Sequence, residues 1–312
     1  MKRFITSVFL LSLVTLLLYP LLLFIWGLVM PSYLAINLND FTGGYGHMNS
    51  RIKDIKEVRD VDVLIVGSSL AYRGFDTRIF QKNGIHAFNL GSISQTPLQT
   101  RVLLKRYLDR LHPKLIIYVV DADAFTSDGV ESALDVISND RNDMYSLKMA
   151  IQVNHIRVYN TMTYKLIRQC MGLDKTFTEP LVKDDDVYIP GGFVEKKMTY
   201  FKKKSYEKQT WIFREKQLDA FGEVMQMIKS KGIEVILVNP PVTSSYYASF
   251  SNNNVFDSLM RTSGDYINFN HTITLDDSLD FFDHVHLNQS GVEKFNQYIL
   301  DLPVLSRFRT RQ

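Results

Sequence analysis

Two stretches of the chain carry residue types and spacings suited to acyl chemistry. The apolar run Val61 to Val66 ends at Gly67-Ser68-Ser69-Leu70, and Asp283-His284-Val285-His286-Leu287 comes far downstream. A serine that follows a strand and heads a helix has its hydroxyl beside backbone N–H groups that favour a developing oxyanion. An Asp and a His three apart on a helical turn lie side by side. The carboxylate can then orient the imidazole while the other ring nitrogen faces the serine. Together these are the parts of a Ser-His-Asp site in the chain order Ser…Asp…His. Each part also has a plainer reading on its own. Gly67-Ser68-Ser69 suits a turn and helix cap, and Asp283 suits a cap or a surface carboxylate. His284 and His286 suit loop positions or a metal-ligand pair, although their i,i+2 spacing is poor for a zinc-binding helix.

The elements that would position these residues alternate in type. Short apolar runs at 61–66, 86–90, 114–120 and 234–238 read as strands buried on both faces. Pro97 to Leu111 and Trp211 to Lys231 repeat apolar residues at helical spacing, and further helices are predicted near Met144 to Cys170 and from about Val292 to Leu300. Strands alternating with helices imply an α/β fold with a parallel sheet and right-handed crossovers. Ligands bind at the carboxyl ends of such strands. Those ends present Ser68 and Ser69, then Asn89-Leu90-Gly91, then Asp121-Ala122-Asp123, then Asn239-Pro240-Pro241. Asn239 reads as a turn residue or an extra oxyanion donor, and Asp121 and Asp123 as loop caps or pocket-lining carboxylates. The interval 125–206 breaks the alternation and reads as an insertion over one end of the sheet. Its charged runs, Asp184-Asp185-Asp186 and Lys202-Lys203-Lys204, suit solvated faces.

Ahead of this domain, no charged side chain occurs from Phe4 through Leu38. A helix needs about 20 apolar residues to cross a hydrocarbon core of ~30 Å, and residues 4–30 suffice with some tilt. Lys2 and Arg3 precede the run and the next charge is Asp40, so the N-terminus is expected in the cytoplasm and the rest outside, in a single-pass arrangement. Tyr19, Trp26 and Tyr33 include candidates for the interfacial aromatic belt. A cleaved signal peptide would have a shorter apolar region ending in small residues, which Trp26 to Met30 do not supply. Residues 31–60 read as a polar linker and 61–312 as the α/β domain. Composition narrows the classes further: 36 basic against 33 acidic residues give +3, too near balance to argue for a nucleic-acid partner. The single cysteine, Cys170, excludes an intrachain disulfide framework and a cysteine-rich zinc site.

Taken together, the motifs resemble those of the SGNH/GDSL hydrolase superfamily. Val66-Gly67-Ser68-Ser69-Leu70 is similar to its first block, with Ser68 in place of the usual Asp, and Asn89-Leu90-Gly91 is similar to the second. Asp283-His284-Val285-His286-Leu287 with Gly291 resembles the last block, D-x-x-H-L followed by a glycine. The resemblance implies a three-layer α/β/α flavodoxin-like sheet and no cofactor or metal. By it Ser69 is the nucleophile, His286 the general base and Asp283 its orienting group, while His284 is not catalytic. Ser69 and Gly91 are the implied oxyanion donors, and Ser68, Asp121 and Asn239 are candidate substrate-binding residues. One departure stands out. The third block's asparagine, an oxyanion donor, is absent from Val120-Asp121-Ala122-Asp123, and losing such a donor costs about 10²–10³-fold in rate.

The Gly-Ser-Ser variant behind one N-terminal anchor is similar to a subset that includes the D-alanyl-lipoteichoic acid transfer protein and alginate-type O-acetyltransferase components. That resemblance implies a serine O-acyltransferase or esterase outside the membrane, acting on a cell-surface polysaccharide or teichoic-acid-like polymer. Its implied partners are the glycan, membrane lipid and a membrane-bound O-acyltransferase. The competing expectations are a catalytically weakened glycan- or partner-binding relative and a structural membrane protein that keeps only the fold.

Overall fold

The computed structural model describes residues 1–31 and 33–309. Its main sheet contains β1 (Val63–Val66), β2 (Ala87–Asn89) and β3 (Leu115–Val119). A separate antiparallel sheet follows, made of β4 (Val182–Lys183), β5 (Asp186–Ile189) and β6 (Phe193–Lys196). The main sheet is completed by β7 (Glu234–Asn239) and β8 (Asp265–Asn268), in the spatial order β2-β1-β3-β7-β8 with every pairing parallel. This is the doubly wound, flavodoxin-like α/β arrangement. Its switch of direction, between β1 and β3, is where such sheets open a crevice.

Period-two alternation explains why β1 and β3 sit centrally. Leu64, Val66, Ile116 and Tyr118 enter one apolar cluster, while Val63, Ile65, Leu115, Ile117 and Val119 enter the other. Helices cover both faces, as the three-layer expectation requires. The first layer includes a short helix at Met48–Asp54 (α2), described below, and α5 (Pro97–Leu111), bounded by a Thr96/Gln99 capping box and by His112 in the left-handed region. The second layer is built from α3 (Ser69–Gly74), α4 (Thr77–Lys82) and the helix at Gln289–Leu300.

Several boundaries differ from the sequence-based expectation. The segment 31–60 is not simply a linker. Within it α2 buries Met48 and Ile52, and Arg51 is fully enclosed, donating to the carbonyls of Gly46 and Gly192. The helix expected near Met144–Cys170 is two helices, because Asn154 takes a left-handed conformation and His155 caps the second. Between β3 and this pair lie α6 (Ala122–Thr126) and α7 (Val130–Asn139); the pair itself is α8 (Met144–Val153) and α9 (Ile156–Met171). Helix α10 spans Glu215–Ser230, so Trp211 lies ahead of it in an extended segment. Beyond β7 come α11 (Ser244–Tyr247) and α12 (Asn253–Ser263), and Gln289–Leu300 is α13.

The apolar N-terminal run is one helix, α1 (Lys2–Val29), continuous through Pro20. It lies against α9. The Tyr19 hydroxyl donates to Asn160 Oδ1 at 2.6 Å, and the Tyr164 hydroxyl donates to the Gly27 carbonyl at 3.2 Å.

Gly67, between β1 and α3, has φ +145°, and a Cβ there would stand 2.6 Å from the Val119 carbonyl oxygen. Gly67→Ala is therefore expected to destabilise the fold by about 1–3 kcal/mol. A thermal melt of the variant checks this, and an unchanged midpoint would contradict the close approach of β3.

Candidate active site

The site begins at the carboxyl end of β1. Ser68 is the N-cap of α3. Its hydroxyl accepts weakly from the Leu70 N–H at 3.3 Å and donates to Asp121 Oδ2 at 2.9 Å. Ser69, at the first helical position, is thereby left to face the opposite way. Its Oγ is 2.8 Å from His286 Nε2. His286 Nδ1 is 2.7 Å from Asp283 Oδ2. With the carboxylate accepting from Nδ1–H, Nε2 is the acceptor for the serine proton. The expected Ser69, His286 and Asp283 thus stand as one connected chain.

Asp283 and His286 do not sit on a helical turn, as their spacing suggested. Asp283 Oδ1 accepts from the Val285 and His286 N–H groups at 2.8 and 2.7 Å, an Asx-type turn held where Phe281 bridges Leu287. Burial pushes the Asp283 carboxyl up. The hydrogen bond and charge of His286, with the two N–H donors, outweigh this and hold it at about 2. It is an anion at every pH where the protein would work.

The imidazole is fixed from its flank. Phe282 lies parallel to the His286 ring with centroids 5.4 Å apart, and the Arg73 guanidinium stands over Phe282 at 5.6 Å. Arg73, on α3, makes a two-pronged ion pair with Asp186 of β5 at 3.0 and 2.7 Å. Asp186 is buried, so this member of the acidic run is not a solvated face but a clamp on α3.

Gly91 departs from its expected role. Its N–H donates to Asn89 Oδ1 at 3.1 Å and so is not free for an oxyanion. Its smallness serves packing instead. A Cβ there would meet Ala71 Cβ at 2.9 Å and the Ser68 carbonyl and Tyr72 nitrogen at 3.0 Å. Asn89 holds the same junction from the other side, donating to the Ala71 carbonyl at 2.8 Å. The Ser69 N–H, in the first turn of α3, has no acceptor inside its own helix.

Beside Ser69 opens a cavity of about 370 Å³ whose wall includes Asp121, Asn239, Trp211, Tyr246 and Phe250. Trp211 and Phe250 stack face to face at 3.5 Å, with Tyr246 edge-on to Phe250. The sequence does not reveal this aromatic wall, because Trp211 reads as the start of a helix that in fact begins at Glu215. Asn239 reaches this cavity, and its amide has only a long 3.4 Å contact to the Tyr266 hydroxyl. His284 lines the same cavity as Ser69 but takes no part in the hydrogen-bonded chain to Asp283. Its ring meets Tyr246 at 4.7 Å and its carbonyl accepts from Thr243. Asp121 caps α6 through the Ala124 N–H at 2.9 Å. Burial, then the neighbouring Asp123 charge, push its carboxyl up to about 6 against the hydrogen bonds it accepts.

No family model matches the chain. No curated protein matches it either. Among solved structures, it is similar to a candidate acylhydrolase from Bacteroides fragilis at 10% identity, covering 85% of this chain and 99% of that one, with a TM-score of 0.42. It is also similar to a candidate platelet activating factor from Streptococcus pneumoniae (10% identity, 81% and 90% covered, TM-score 0.44). A third is the lipase/acylhydrolase from Enterococcus faecalis, at 13% identity, 80% and 98% covered, with a TM-score of 0.41. These likenesses are distant.

The raised Asp121 carboxyl has a consequence for stability. The folded chain holds this proton more tightly than the unfolded chain, so stability falls as pH rises from about 4 through about 6. The cost then persists at neutral pH. Asp121→Asn, which keeps a capping oxygen, is expected to flatten that slope and raise stability at pH 7 by on the order of 1 kcal/mol. Denaturant titrations of both proteins at pH 4 and pH 7 check this; an unaltered pH slope would refute it.

Proposed function

We propose that the protein is a membrane-anchored, SGNH-type serine acyl-transfer enzyme, an O-acyltransferase or esterase working outside the membrane on acyl groups of an envelope polysaccharide or teichoic-acid-like polymer. The observation that carries the reading is the unbroken hydrogen-bonded chain from Ser69 through His286 to Asp283. In this reading His286 takes the Ser69 proton as the oxygen attacks an ester carbonyl, and the Ser69 N–H supports the oxyanion. His286 returns the proton to the leaving alcohol, and Ser69 is left acylated. A sugar hydroxyl or water, deprotonated by the same imidazole, then takes the acyl group and frees the serine.

The aromatic cavity supports a carbohydrate partner, because sugar rings present C–H faces that pack on flat side chains such as Trp211 and Phe250. The charge-free run from Phe4 to the end of α1, with Lys2 and Arg3 in its first turn, supports the anchor and its orientation. A membrane-bound O-acyltransferase as acyl donor follows from the resemblance alone. The second reading, a weakened relative that binds glycan or a partner, is favoured by one observation: the Gly91 N–H is already engaged by Asn89.

A fluorophosphonate probe separates the two. Labelling is expected in the wild type and in Ser68→Ala, and lost in Ser69→Ala. Labelling that survives Ser69→Ala rejects the nucleophile, and none in any protein favours the binding reading. His286→Ala and Asp283→Asn are expected to slow ester turnover by about 10³–10⁴-fold, with His284→Ala within about tenfold of wild type. Equal losses at both histidines in a steady-state assay would overturn the assignment.

A further inference from the structure

The lysine run 202–204 takes no part in the catalytic chain, yet the fold brings it beside the triad. It lies in the segment that leads from β6 to α10, and that segment runs along the edge of the crevice. One end is pinned near the turn that carries Asp283 and His286. There the Phe201 N–H donates to the Phe281 carbonyl at 2.8 Å, and Asn288 Nδ2 donates to the Thr199 carbonyl at 3.1 Å. The other end is pinned to the aromatic wall. Tyr206 stands edge-on to Tyr246 at 5.4 Å and lies 5.8 Å from the His284 ring. Farther along, the Gln209 N–H donates to the Ser249 carbonyl, and its own carbonyl accepts from the Ser251 N–H.

Between these anchor points Lys202, Lys203 and Lys204 are all exposed, and none makes an ion pair among the described residues. The carboxylates around Tyr206 have other partners: Asp283 holds His286, and Asp277 accepts from the Ser244 N–H and hydroxyl. Beyond Tyr206, Glu207 and Lys208 offset each other in charge. Like charges held together in a short pinned stretch attract an opposite charge from solution. The cavity behind this rim has the opposite sign. Asp121, Asp123, Glu131 and Asp257 line it, and no Lys or Arg does among the described residues. Asp121 and Glu131 are met by the Ser68 and Ser94 hydroxyls instead of by cations. An anionic chain is therefore drawn to the rim and repelled from the interior, while an uncharged ester can pass in toward Ser69.

We propose that Lys202, Lys203 and Lys204 form a docking rail for a hydroxyl-bearing polymer whose repeating units carry negative charge, as carboxylate or phosphate. The proposal rests on the acyl-transfer reading of the Ser69 crevice and names the polymer it takes: an anionic one, not a neutral one. To test it, the full chain in dodecyl maltoside micelles is titrated at low ionic strength with polygalacturonate, poly(glycerol phosphate) and neutral dextran of similar size. At least one of the two anionic chains is expected to bind and dextran is not, and the tighter binder tells carboxylate from phosphate. The triple variant Lys202→Gln, Lys203→Gln, Lys204→Gln is expected to weaken that binding at least about tenfold. A matched triple, Lys56→Gln, Lys82→Gln, Lys229→Gln, removes the same charge from exposed positions ahead of β1, β2 and β7, at the opposite end of the strands. It is expected to stay within about twofold of wild type. Equal weakening by both triples reduces the attraction to net charge and overturns the proposal. So does binding that survives the 202–204 triple, or a wild type that binds neither anionic chain. Fluorophosphonate labelling of Ser69 is read in parallel: absent labelling with binding that still depends on 202–204 overturns the acyl-transfer reading and leaves the rail standing.

Discussion

The hydrogen bond between Ser69 Oγ and His286 Nε2 joins segments that the chain separates by the whole sheet. Much of the second layer can be understood as what keeps those two atoms at 2.8 Å. The serine is aimed by a short helix whose cap is the neighbouring serine. The imidazole is aimed by a four-residue turn whose own carboxylate bonds both backbone and ring. Neither device works alone: a misplacement of even 1 Å at such a pair costs orders of magnitude in rate.

Three contacts tie the two devices together. Asp186 holds Arg73, Arg73 covers Phe282, and Phe282 lies flat on the imidazole. The antiparallel sheet that breaks the α/β rhythm is thus a brace for α3. On the other side, Asn89 and Gly91 let β2 press against α3 so closely that no side chain fits between. The Gly91 N–H is meanwhile taken by Asn89 Oδ1, so one asparagine binds both sides of this junction.

Much of this was legible in the sequence. The four strands found there are real, because fully buried parallel strands read as plain apolar runs with sharp polar ends. The triad was legible because Ser69, Asp283 and His286 each sit in a compact motif, and the structure brings them together. β8 escaped because Asp265-Tyr266-Ile267-Asn268 is short, polar at both ends and at the sheet's edge. The break at Asn154 hid inside an apolar period that continues across it, since a left-handed residue leaves no gap in the pattern. α2 was lost because its polar residues are buried with partners, Arg51 above all, so composition pointed to solvent where packing decides otherwise. The role of Gly91 could not be read either. A glycine that donates to an oxyanion and one that merely admits a neighbouring helix look alike in a string of letters.

Asp283 and His286 lie beyond the last strand of the sheet, which ends at Asn268. The helix that follows them, α13, supplies Val292, Phe295 and Ile299 to the second apolar layer, so the turn carrying Asp283 and His286 is held between the sheet and that layer. Scaffold and site are therefore completed by the same final stretch of chain: one cut short after β8 would leave Val63, Ile65, Ile117 and Val119 without Phe295 and its neighbours, and Ser69 without its imidazole.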